Sequence, residues 1–191
     1  MNDADALTGI YDYLTENVRG PVSFDDLLRS KIVYSVSAFD KLLHDIIRIG
    51  MVDIFSGNRP STPKFLNEPI PLKVVEQLRS PAAPPSEIVF AQTIREKLKT
   101  LSFQDPEKVA DGLSYIWSEN QKWQKISAEM GDDEKTVRTT LKLIVSRRNA
   151  IVHEADIDMS AEAKRPIDRQ SAGDVTRFLR NLGETIHRLV C

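Results

Sequence analysis

Small or apolar residues recur about every three or four positions from Leu28 through Ile32, Val36, Phe39, Leu43, Ile46 and Gly50 to Phe55. A half-buried strand would alternate with a period of two; this rhythm is that of an α-helix. It predicts one long helix from about Phe24 to Phe55, which any fold must build around. A second run spans about Asp133 to Ala155, where Val137, Leu141, Ile144, Ile151 and Ala155 share one face. Shorter runs follow the same period: Leu7 to Val18, Ser86 to about Leu101, Val109 to Trp117, Asn120 to Met130 and Val175 to Leu189. No stretch sustains alternation and no repeat is visible. The expected fold class is all-α, an antiparallel helical bundle with the two long helices at its centre.

Turn and cap residues divide these runs. Gly20-Pro21 ends the first helix, and Ser23 is a candidate N-cap for the second. Ser56 to Pro71 reads as loop, Leu72 to Arg79 as a short helix, and the prolines from Pro81 to Pro85 as a break. Asp105-Pro106 opens a helix with Pro at a tolerated first position, and Gly131 closes another. Neither side of the Pro-rich region 56–86 offers a complete bundle, so residues 1–191 read as one domain with residues 1–20 as a helical extension. At 191 residues and 41% hydrophobic, the chain can fill one core.

Several function classes are disfavoured. The net charge of −2 advertises neither nucleic acid nor membrane. No apolar run approaches the roughly eighteen residues of a membrane span, and the acidic start lacks a secretory core. A soluble, cytoplasmic protein is expected. The lone Cys191 allows no disulfide within the chain. His44, His153 and His187 show no metal-ligand spacing, and neither a Gly-rich phosphate loop nor a Ser-hydrolase motif is present. No metal or cofactor is expected.

The chemistry concentrates in Ser146-Arg147-Arg148-Asn149-Ala150-Ile151-Val152-His153-Glu154-Ala155-Asp156. On an ideal wheel Arg148 falls in the middle of the apolar stripe, while Arg138, Lys142, Ser146, Asn149 and His153 form a second, polar stripe. Five basic residues and no acid lie between Lys135 and Val152. Two readings fit. Arg148 is a buried charge paired for structure, with a solvated His153; or Arg, Asn and His form a phosphate site, since Arg binds phosphate through a planar fork and His moves protons. Ser37, Asp40, His44 and Arg48 line one face of the long helix, the last three stacked at intervals of four. They form either an exposed ion ladder or part of a cleft.

The string Arg148-Asn149-x-x-x-His153 resembles the signature of the HEPN superfamily, an Arg and a His a few residues apart with a polar residue after the Arg. With its flanks from Leu143 to Asp156 it is similar to the RiboL-PSP-HEPN branch. Trp123 to Gly131 and Val36 to Asp45 resemble that branch too. The resemblance spans roughly Ser23 to the C-terminus. It implies a homodimer in which two motif helices face each other across a cleft, and metal-independent RNA cleavage with Arg148, Asn149 and His153 as catalytic residues. Arg147, Ser146, Lys142, Asp40 and His44 are then candidates for contacting substrate. A toxin or defence role, with an antitoxin or other regulatory protein as partner, fits such an activity. So does a HEPN-like dimer that binds RNA, a nucleotide or a protein without cutting. One geometric difficulty stands: Arg148 and His153 lie about 140° apart on an ideal helix. A shared site therefore needs a side chain that reaches around, a helix break, or an Arg from a second subunit.

A competing pattern runs from Ile126 to Arg138, which resembles a helix-turn-helix with Gly131 at the turn and Lys135, Arg138 and Lys142 toward DNA. Asp132, Asp133 and Glu134 would crowd the DNA-facing helix end, and suit an ordinary helix start better.

Overall fold

The computed structural model describes residues 2–80, 84–158 and 160–191. Its architecture is all-α. Helix α1 (Asn2–Asn17) precedes the long α2 (Asp25–Phe55). The next helices are α3 (Pro63–Leu66), α4 (Leu72–Arg79), α5 (Ser86–Leu98), α6 (Pro106–Leu113) and α7 (Lys122–Met130). Then come α8 (Glu134–His153) and α9 (Arg169–Val190). Between α8 and α9 two short strands, β1 (Ile157–Asp158) and β2 (Ala163–Lys164), pair antiparallel with Ile157 opposite Lys164.

Side-chain caps set many of these boundaries. Asp105 accepts from the Glu107 N–H, Asp133 from Thr136 and Asp168 from Ser171, each supplying an acceptor to an orphan donor of a helix start. Gly131, at φ 74°, takes the left-handed turn that closes α7. Ser23 lies one position ahead of the α2 cap and accepts from the Asp25 N–H at 3.2 Å. The stretch 56–71 is not wholly loop: Thr62 caps α3 and donates from Oγ1 to the Ser114 carbonyl at 2.9 Å.

Helix α2 packs against α1, α5, α8 and α9. Its Val36, Phe39, Leu43, Ile47 and Met51 join Ile126 of α7, Val137 and Leu141 of α8, and Leu179, Leu182 and Ile186 of α9 in one core. Burial on this scale, at roughly 1.5–3 kcal/mol per large apolar side chain, drives the bundle together. Trp123 is buried and donates from its indole N–H to the Pro106 carbonyl at 2.8 Å, tying α7 to α6. The pair α7–α8 is thus built into the bundle. Arg138, a residue of the DNA-reading alternative, is held in ion pairs by Glu134 and Glu107.

Two differences from the sequence reading matter for function. Helix α8 ends at His153 rather than near Ala155, so His153 is its last residue. Arg148, on the wheel a core residue, is only half-buried.

Candidate functional site

Val137, Leu141, Ile144 and Ala150 fix α8 in the core and leave Lys142, Ser146, Asn149 and His153 exposed along its other side. The helix stops because the chain turns sharply after it. Ala155 and Asp156 both adopt left-handed backbone, at φ 51° and 60°. The N–H groups of Glu154 and Asp156 both reach the Ala150 carbonyl, at 3.0 and 2.9 Å. Left-handed backbone at a non-glycine costs on the order of 1–3 kcal/mol per residue and persists only where its surroundings hold it.

What holds it is Asp156. Its carboxylate is fully buried, and Oδ2 accepts from Arg29 Nε of α2 and from Arg147 Nη2 of α8, both at 2.8 Å. Arg29 is buried as well; it donates from Nη2 to the Arg165 carbonyl at 2.7 Å and from Nη1 to Asp26 at 3.1 Å. Arg147 also donates to the Pro166 carbonyl at 3.1 Å. The Arg165 N–H donates to the Asp156 carbonyl at 2.8 Å. One carboxylate therefore joins the start of α2, the last turns of α8 and the segment after the hairpin. At the rim Lys164 bonds Asp26, and this bond, with Arg29 behind it, holds the Asp26 carboxyl below its ordinary pKa.

Arg148 stands apart from this node. Its Nε is buried, while Nη1 donates to Asn149 Oδ1 at 2.9 Å on the exposed side. The stem is tucked against the protein and the guanidinium bends around the helix toward the polar stripe. Asn149 lies four residues before His153, the spacing of stacked neighbours on a helix. The side chain thus covers part of the offset of about 140°, as far as Asn149.

Beside this stripe is a cavity of about 470 Å³ whose lining includes Lys142, Ser146, Asn149, Glu154, Asp105 and Arg165. Asp40 and His44 lie elsewhere, in a groove of about 890 Å³ between α2 and α5 that Arg48 and Arg95 share. The segment around Phe103 borders both, with Leu101 on the groove and Gln104 and Asp105 on the cavity. Asp40 Oδ1 accepts from the Phe103 N–H at 2.6 Å, and the His44 ring packs against the Phe103 ring at 4.7 Å. His44 Nε2 is 3.8 Å from Asp40, beyond hydrogen-bond reach. Within one chain, then, Asp40 and His44 do not share a pocket with the motif, and Ser37 is simply exposed.

The RiboL-PSP-HEPN family model matches residues 2–191. The chain belongs to the RiboL-PSP-HEPN family. No curated protein and no solved structure gives a match. Membership in this HEPN family points to RNase-like or nucleotide-binding function, and HEPN domains often form dimers and bind RNA. Among the described residues of this HEPN chain no helix is long and apolar enough to cross a membrane, and no group of three His, Cys, Asp or Glu could hold a metal ion.

Arg29, Asp156 and Arg165 have no role that the sequence alone points to. Arg29 carried a signal, since it falls three and seven residues before Ile32 and Val36, on the core-facing side of α2. Asp156 stands only as the last residue of the motif string, with no role of its own, and Arg165 carries no signal, because both follow the last helical turn and no wheel extends to them.

Proposed function

We propose that this chain is a metal-independent endoribonuclease that works as a homodimer in the cytoplasm. The observation that carries the reading is the bond from Arg148 to Asn149, which brings the guanidinium toward the exposed side of the helix that ends at His153. The imidazole of His153 takes the proton of a ribose 2′-hydroxyl. The oxygen attacks the adjacent phosphorus, and the bond to the 5′ oxygen breaks. That oxygen takes a proton from the partner subunit's His153, so the two subunits divide the acid and base work. Arg148 stabilises the charge that grows on the phosphate, and Asn149 holds the guanidinium in place. Lys142 and Ser146 contact the strand on the same face; Arg147, committed to Asp156, acts on the site by holding the helix end. Such an activity suits a toxin or defence effector restrained by a partner protein.

The test is end chemistry. Cleaved RNA carries a 2′,3′-cyclic phosphate and a 5′-hydroxyl. An oligonucleotide with a single 2′-deoxy substitution at the mapped cleavage position stays intact there. Cleavage of that substituted bond at the normal rate rules the mechanism out. A non-cleaving RNA-binding module is the outcome if RNA is bound and never cut.

Assembly gives an independent check. Sedimentation at tens of micromolar is expected to show a dimer. A monomer at that concentration, active at the same specific rate on dilution, removes the shared cleft.

A further inference from the structure

We propose that Arg165 binds a phosphodiester of the RNA strand beside the scissile one, and that the Arg29–Asp156–Arg147 node exists to place it there. The inference rests on the RNA-directed function argued above. The backbone of Arg165 is clamped on both sides, its N–H by the Asp156 carbonyl at 2.8 Å and its own carbonyl by Arg29 at 2.7 Å. The following carbonyl, of Pro166, is held by Arg147. The clamping residues Arg29 and Asp156 are buried, so the segment is fixed by the core although it lies between a hairpin and a helix.

The side chain enters no hydrogen bond or close ion pair among the described residues. At longer range it acts on the carboxylate of Asp158, which hydrogen bonds from Ser160 and, less, the Arg165 charge hold below the ordinary range. Arg165 is half-exposed on the cavity that Lys142, Ser146 and Asn149 line. The Lys142 ammonium likewise makes no hydrogen bond or close ion pair among the described residues. Most other arginines near α8 and α9 are engaged: Arg138 with Glu134, Arg147 with Asp156, Arg169 with Asp12, Arg180 with Asp5. Two carboxylates also face the cavity. Asp105 is occupied in capping α6, and Glu154 reaches neither cation. Two cations without a hydrogen bond or close ion pair among the described residues, on one cavity with a hydroxyl and an amide, suit a phosphate, whose oxygens accept from all of them. No aromatic ring lines the cavity, so it lacks the platform on which a base stacks. The contact is therefore to the strand's backbone and indifferent to sequence.

The experiment measures binding of U-rich and A-rich single-stranded RNA to His153→Ala protein, which leaves the probe uncut, with and without Arg165→Ala. Loss of one charged contact is expected to weaken both RNAs alike, about tenfold. It should also reduce the slope of log affinity against log salt by about 1. Arg165→Lys should recover part of the loss. The melting temperature should not move, because the clamp uses backbone atoms that the substitution keeps. Equal binding with and without Arg165 overturns the inference and leaves the nuclease reading intact. A fall in melting temperature that accounts for the weaker binding makes Arg165 structural and also overturns it. If the His153→Ala protein binds neither RNA, the functional reading fails and this inference with it.

Discussion

Asp156→Ala lowers the stability of the folded chain by about 3–5 kcal/mol, the cost of removing one partner from a buried ion pair. The single carboxylate pairs with both Arg29, whose side chain is 7% exposed, and Arg147, whose side chain is 26% exposed. Without it Arg147 can turn to water, but Arg29 is left as a buried charge with only the surface carboxylate Asp26 and one backbone carbonyl for company. The strained left-handed turn at Ala155 and Asp156 also loses its anchor. The neighbour gives the opposite result. Among the described residues Arg148 has no carboxylate partner, only a surface bond to Asn149, so Arg148→Ala should cost less than about 1 kcal/mol. Urea denaturation of the two variants separates them. Asp156→Ala unfolding at the wild-type midpoint would mean that the buried node does not hold the fold together.

That contrast also shows where the sequence was readable. The long helices were, because their period is local and their caps sit in the chain beside them: Asp105, Asp133 and Asp168 each bond a donor two or three residues on. Helix α3 was legible in the same terms, as Thr62 followed by Pro63, yet four residues give too little periodicity to notice. The sequence leaves Arg148 open between a buried, paired charge and a phosphate-binding group; the carboxylate partner belongs instead to its half-buried neighbour Arg147. A wheel ranks positions by angle, and the angle favours Arg148. The carboxylate that decides between them lies past the end of the helix, and its other ligand, Arg29, is 127 residues away in sequence. Asp40 and His44 show the converse failure. Their shared face of α2 is local and legible, but the Phe103 segment that packs on them is placed by tertiary packing, with Phe103 seated against Gly112 and Ile47 of the core.

The proposed cleavage of RNA at this helix end depends on His153. His153→Ala should reduce cleavage by about 10²–10⁴-fold, the usual contribution of acid–base assistance. It should leave the fold intact, because His153 is exposed at the last position of α8 and its removal opens no core cavity; changes at such positions usually stay within about 0.5 kcal/mol. A 2′-hydroxyl attack assisted by imidazole and guanidinium requires no metal, so activity should persist in chelator. The decisive measurement compares wild type and His153→Ala, equally pure and equally folded by circular dichroism, on structured and unstructured RNA in EDTA. Cleavage is expected from the first, and about a hundredfold less or lower still from the second. Equal cleavage by both proteins, or no cleavage of any RNA by the wild type, would contradict the proposed function.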